Sequence, residues 1–182
     1  MISHTGKRLF LLRHALALSD ASSDEMRALS PQGKEDAHAL GKKMQERGFT
    51  PDIILCSPAL RTRQTLEAVQ ETIGVEQVTF KDVLYSGVTG DYFAAIQEVK
   101  DEAQNILIVG HNPTIYQLAV MLANDGAESL IQRLSEGYHP ATLSVFECET
   151  STWKDLQPVD NTLTFYESPI DYNAPARPTR WM

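Results

Sequence analysis

KRLFLLRHALALSD, residues 7–20, decides how the rest of the chain is read. Leu9, Phe10, Leu11 and Leu12 follow one another without a polar break. A strand that is apolar on both faces is buried on both, and such strands belong to the middle of sheets covered by helices. The spacing predicts a strand over 8–13. The run then stops at Arg13-His14. Two basic side chains at the tip of a buried strand are either a strand end meeting water or the start of an anion site.

Working outward, the same grammar recurs. SDASSDEMRAL (19–29) is polar and reads as a loop. Ser30-Pro31 opens a helix, since serine caps the first turn and proline is tolerated at its start. Ala37, Leu40, Gly41 and Met44 form its buried face, and Gly48 suits its end. DIILCS (52–57) is a second apolar strand. Ser57-Pro58 repeats the cap-and-proline signature before a helix that runs to Gly74. VTFKDVLY (78–85) reads as a third strand, DYFAAIQEVKD (91–101) as a helix and NILIVG (105–110) as a fourth strand. His111-Asn112-Pro113 opens a helix to about Ala123. ATLSVFECET (141–150) and NTLTFYES (161–168) alternate and form a late antiparallel pair. The expected fold is α/β, a three-layer sandwich whose mixed, mostly parallel sheet carries helices on both faces. A single domain is expected over 1–168, followed by an extended, proline-rich tail over 169–182.

The whole-chain balance narrows the function. The 182 residues carry a formal net charge of −8, with 42% apolar and 22% charged residues. So acidic a chain lacks the footprint of a nucleic-acid binder, and an anionic membrane surface repels it. No apolar run approaches the roughly 18–20 residues that span a bilayer. Cys56 and Cys148 sit in apolar runs and read as buried free thiols, which suits a reducing compartment. The expected location is cytoplasmic, and neither nucleic acid nor membrane is an expected partner.

Open α/β sheets bind their ligands beyond the carboxyl ends of their strands. Strand one ends in Arg13-His14. Strand two ends in Ser57-Pro58, with Arg61 in the next helical turn, and strand four ends in Gly110-His111-Asn112. Two arginines and two histidines should therefore meet at one edge, beside helix N-termini that favour anions. Guanidinium forks match phosphate oxygens. Neutral imidazole is a nucleophile near neutral pH, so one histidine could attack phosphorus in line. The arginines and a second, protonated histidine would then stabilise the equatorial oxygens. No metal-binding motif or P-loop lysine is present, and no metal or cofactor is expected.

LLRHALA (11–17), SPALRTRQT (57–65) and VGHNP (109–113), in this order, resemble the histidine phosphatase superfamily, the phosphoglycerate mutase-like fold. The RHA variant, RALSPQG (27–33) and the short chain resemble its phosphohistidine phosphatase branch, the SixA type. The resemblance covers residues 8–150. It implies that His14 is the nucleophile, transiently phosphorylated, that Arg13 and Arg61 bind the phosphoryl group, and that His111 contacts it and stabilises the transition state. It also implies a cofactor-free core. Asp20, six residues after His14, lies where relatives carry a polar pocket residue. Ala15 replaces the usual glycine after the nucleophile.

Many members of the family place a glutamate after the third strand to protonate an alkoxide leaving group. Here VLYSGVTGDY (83–92) offers Tyr85 and Ser86 at that place, with Asp82 and Asp91 nearby but out of register, so no acid is assigned. Imidazole, with a pKa near 6.5, leaves without strong help, so P–N cleavage is favoured over P–O. The expected substrate is a phosphohistidine domain of a phosphorylated protein. The alternatives are a small phosphorylated metabolite and a non-catalytic phosphate-binding module. Arg27 reads either as a pocket-rim residue or as half of a surface ion pair. His38 reads as an exposed helix residue, and His139 reads either as a pocket-rim residue or, preferably, as a structural strand cap.

Overall fold

A computed structural model describes residues 6–173. A seven-stranded sheet has the order β3-β2-β4-β1-β6-β7-β5. Its strands are β1 (Lys7–Arg13), β2 (Ile53–Cys56), β3 (Val78–Phe80), β4 (Asn105–Gly110), β5 (Asp125–Gly126), β6 (Leu143–Cys148) and β7 (Asn161–Glu167). β1, β4, β2 and β3 run parallel, β6 pairs antiparallel with β1 and with β7, and β5 runs parallel to β7. The mixed, mostly parallel sheet and the late antiparallel pair are as expected.

The side chains of β1 account for the layers. Leu9 and Leu11 point to one face and Phe10 and Leu12 to the other, all fully buried. Phe10 and Leu12 pack with Leu40 and Met44 of α1 (Pro31–Glu46) and with Leu66 and Val69 of α2 (Leu60–Ile73). Leu9 and Leu11 share the opposite core with Ile96 of α4 (Thr89–Gln97) and with Ile115, Leu118 and Leu122 of α5 (Thr114–Leu122). The short α3 (Val83–Ser86) directly precedes α4. Burying one such leucine is worth about 1.5–3 kcal/mol, so the doubly covered strand is the energetic centre of the domain. Among the described residues no helix is long and apolar enough to cross a membrane.

Local rules explain several boundaries. Ser30 Oγ accepts from the Gly33 N–H at 3.0 Å, and Pro31 is the first residue of α1, as the cap signature predicts. α2 ends at Gly74, which takes the left-handed conformation (φ 68°) that glycine adopts without strain. Elsewhere the expectations need correction. β3 stops at Phe80, and the end of the expected strand, 83–85, belongs to the helix Val83–Ser86, with Asp82 at its N-cap. The expected helix over 91–101 is Thr89–Gln97. β5 and α6 (Glu128–Ser135) lie in a stretch that the periodicity left unassigned. The start of the expected extended tail is helical, α7 (Pro169–Tyr172), and 174–182 lie outside the described residues.

Candidate active site

Parallel pairing brings the strand tips together. Arg13 faces Gly110 across β1 and β4, and Cys56 faces Val109 across β2 and β4. Beyond the last pairs the backbone stays tied. The His14 N–H donates to Gly110 O at 3.1 Å and the Ser57 N–H to Val109 O at 3.0 Å. The Ala15 N–H donates to Thr65 Oγ1 at 2.9 Å, which pins the residue after His14 to α2. A cavity of about 570 Å³ opens at this edge, lined by Arg13, His14, Arg61 and His111 together with Asp24, Arg27, Tyr85, Ser86 and Asn112. α2 and α5 both begin beside it and turn positive dipole ends toward it.

His14 and His111 are each 8% exposed, and their rings stand 5.2 Å apart. His14 Nδ1 lies 2.7 Å from the Ala15 carbonyl oxygen. A carbonyl only accepts, so Nδ1 carries the proton and Nε2 keeps its lone pair. Burial, with Arg61, Arg13 and Arg27 adding to it, pushes the His14 pKa down to about 4. Burial and the neighbouring His14 push His111 down to about 3. In the free site, desolvation and the neighbouring imidazole and arginines favour the neutral form of His111, so the protonated second histidine expected at the transition state is not its resting form. Its Nε2 lies 2.7 Å from Ser57 Oγ, and its buried Nδ1 has no partner among the described residues. Ser57 Oγ accepts weakly from the Ala59 N–H at 3.4 Å, so its hydrogen is free to point at Nε2. With Ser57 donating to Nε2, Nδ1 carries the proton of His111.

The arginines share a pattern. Arg13 Nη1 donates to Tyr138 O at 2.8 Å, while its buried Nε has no partner among the described residues. Arg61 donates from Nη1 to Asp24 O at 2.7 Å and from Nη2 to Asp24 Oδ2 at 3.1 Å, and its buried Nε is likewise unpartnered. Each guanidinium is held by its far end. Unpaired buried donors are costly, and an anion in the cavity would satisfy them. Three arginines against one aspartate make the pocket positive within an acidic chain.

Asp20 is exposed and does not line the cavity; Asp24 stands there instead. Sequence reasoning missed Asp24, because nothing in SDASSDEMR (19–27) marks one of its aspartates over the other. Arg27 fulfils both readings, lining the cavity and pairing with Asp24 at 3.1 Å. Ser57 is not the cap of α2. That helix starts at Leu60 after an Ala59 N-cap with no side-chain bond, and Ser57 faces His111. Likewise α5 begins only after Pro113. Tyr85 and Ser86 do reach the cavity, Tyr85 edge-on to His111 at 5.7 Å between centroids. Asp91 is spent at the start of α4, where it accepts from the Val88 N–H at 2.8 Å. His38 sits over Glu71 on the surface.

Comparison with known proteins identifies the family to which this fold belongs. Residues 9–85 match the sequence model of the histidine phosphatase superfamily (branch 1). A solved candidate SixA phosphohistidine phosphatase from Nakamurella multipartitia superposes with a TM-score of 0.77 at 32% identity, covering 91% of this chain and 97% of that one. An uncharacterised Mycobacterium tuberculosis protein is 31% identical over 151 residues, 81% of this chain and 92% of that protein. The phosphohistidine phosphatase SixA of Escherichia coli is 26% identical over 118 residues, 63% of this chain and 73% of that protein. The chain belongs to the histidine phosphatase superfamily, with its phosphoglycerate mutase-like α/β fold, and is a phosphatase.

Proposed function

We propose that the protein is a phosphohistidine phosphatase and that His14 is its nucleophile. His14 Nε2 attacks phosphorus and forms a new P–N bond. The P–N bond of the substrate breaks, and the departing imidazole takes up a proton. Water then attacks the phosphoryl group on His14, giving inorganic phosphate and free imidazole. The reading draws on the tautomer of His14, on its neutrality at physiological pH, and on the open Nε edges of Arg13 and Arg61. His111, through Nδ1–H, donates to an equatorial oxygen.

The observation that carries the choice of leaving group is the state of Asp24. Among the described residues it is the one carboxylate lining the cavity. Its hydrogen bond to Arg27, aided by those from Tyr85 and Arg61, holds its pKa below the usual carboxylate range. An ionised carboxylate cannot protonate a departing alkoxide. Tyr85, whose pKa is raised chiefly by its bond to Asp24, is no stronger an acid. A phosphoimidazole needs no such donor, because imidazole itself leaves near neutral pH. The cavity also opens at a strand edge, within reach of a side chain carried on another protein. The Escherichia coli relative is named a phosphohistidine phosphatase, which supports this reading.

The test is a comparison of kcat/KM on a phosphorylated histidine domain with that on a panel of small phosphate monoesters. The phosphohistidine substrate is expected to turn over at least about a hundredfold faster, the span of one general acid. Esters hydrolysed as fast or faster would overturn the assignment in favour of a small-molecule phosphomonoesterase.

A further inference from the structure

The loop 19–27 looks like a bare connection in the sequence, yet it is stitched down at several points. The Leu60 N–H, first in α2, donates to Glu25 O at 2.9 Å. Arg27 Nε donates to Leu18 O at 2.8 Å, and the Arg27 N–H closes a turn onto Asp24 O at 3.2 Å. Leu29 N–H donates to Gln64 Oε1 at 2.7 Å. These bonds fix the backbone of Asp24 against α2, the helix that carries Arg61. From there Asp24 meets Arg61 twice, by carbonyl and by carboxylate, while Tyr85 Oη donates to Asp24 Oδ2 at 3.0 Å and Arg27 Nη1 to Oδ1 at 3.1 Å.

We propose that Asp24 is the positioning residue of Arg61: it clamps the guanidinium end-on and thereby presents the Nε edge to the phosphoryl group. The inference rests on the reading that a phosphoryl group occupies this cavity. A guanidinium has five N–H donors in one plane. Asp24 engages one on each terminal nitrogen, which fixes both the plane and its rotation. The Nε–H and the remaining terminal hydrogens stay available, and a side-on, bidentate grip on two phosphoryl oxygens needs only Nε–H and one of those. Arg61 is 6% exposed and its Nε is without a partner among the described residues, so the clamp leaves unengaged the edge a phosphoryl group would use. Arg13 follows the same plan with the Tyr138 carbonyl as its anchor. Tyr85 and Arg27 spread the charge of Asp24 away from the incoming anion. Asp24 thus acts through Arg61 and not on the substrate.

Calorimetric titration of the full chain with inorganic phosphate tests this, using D24A, D24N, R61A and the two double variants, with thermal unfolding as the control for folding. D24A is expected to weaken phosphate binding about tenfold or more, the scale of a lost charge-assisted bond. D24N, which keeps an oxygen acceptor, is expected to recover part of that loss. In the R61A background either substitution should add less than about twofold, because coupled residues are not additive. Should D24A not fold, D24N and R61A/D24N carry the same cycle. Binding by D24A equal to or tighter than wild type would overturn the proposal and make Asp24 a competitor for Arg61. A full additional loss on top of R61A would overturn it too. Phosphate affinity is blind to the leaving group, so a preference for esters would sink the phosphohistidine assignment without touching this one.

Discussion

His14 and His111 face each other across 5.2 Å with their rings tilted by 54°, and neither is charged at neutral pH. Two imidazoles so close could not both be protonated between Arg13 and Arg61 without strong repulsion. Their neutrality makes different work available to each. His14 is oriented by the Ala15 carbonyl to free an Nε2 lone pair, whereas His111 is held at Nε2 by Ser57 and, with Ser57 donating, offers an Nδ1–H. One ring can donate electrons and the other a hydrogen bond.

Replacing His14 by alanine is expected to reduce phosphate release by roughly a thousandfold or more, since the variant lacks the group that forms the covalent intermediate. Rapid quench of the wild type with labelled substrate should trap acid-labile phosphate on His14, and peptide mapping should locate it. Substantial turnover in the variant, or label on another residue, would remove His14 from the mechanism.

The depressed histidines also set a pH dependence with a definite sign. Both pKa values fall in the folded state from the ordinary 6.5, to about 4 for His14 and about 3 for His111. Between those values and 6.5 the unfolded chain binds more protons, so stability rises with pH across that window. The contribution is complete above about 6.5 and is lost as pH falls toward 4 and then 3. Denaturant titrations at pH 7 and pH 4.5 should show lower stability at the acid value, and the difference should shrink in His111→Gln. NMR titration of the imidazole ring protons should place both midpoints well below 6. A His14 midpoint near 6.5 would contradict the burial on which its nucleophilicity depends.

How much of this was legible in the sequence depends on how far the information travels. LFLL followed by Arg13-His14 specified a central strand and its polar tip, because burial on two faces leaves a local record. Ser30-Pro31 specified the start of α1 for the same reason. The parallel order of the strands then forced Arg13, Arg61 and His111 onto one edge. Ser57 shows the limit: the same Ser-Pro pair reads as a cap, yet its hydroxyl faces His111, fifty-four residues away. Asp24 shows it more sharply. Its role comes from the docking of the 19–27 loop on α2, and no spacing within the loop distinguishes it from Asp20. β3 was overread because Val83 and Leu84 continue an apolar pattern that Lys81 and Asp82 break with a turn.

Ser57→Ala tests the orientation of His111. The serine is fully buried, and removing its hydroxyl leaves both ring nitrogens without partners among the described residues. A buried polar atom left unpaired costs about 1–3 kcal/mol, which thermal unfolding would register as a lower Tm. The catalytic signature should be specific: kcat falls about tenfold while KM changes little, because the donor to the transition state is misoriented but the arginine grip persists. Ser57→Thr, which keeps the hydroxyl, should recover most of the kcat. A KM effect alone would mean that Ser57 serves binding and not His111.

Gly110→Ala probes why β4 ends in glycine just before His111. A Cβ at Gly110 would sit 2.6 Å from Tyr92 Oη and 2.7 Å from the edge of its ring, too close for either atom. Tyr92 is itself fully buried and cannot swing into solvent. Its hydroxyl receives the His111 N–H at 3.3 Å and donates to the Leu84 carbonyl, so it links the backbone of His111 to α3, the helix that carries Tyr85. Forcing the phenol aside should cost about 1–3 kcal/mol of stability, as overpacking does. It should also lower kcat by displacing His111. Tyr92→Phe removes only the hydroxyl and leaves the ring in the way, so G110A/Y92F should stay about as unstable as G110A. G110A/Y92A, which clears the ring, should lose less than the two single substitutions added together. Strict additivity in that pair would show that the glycine is there for some reason other than the approach of Tyr92.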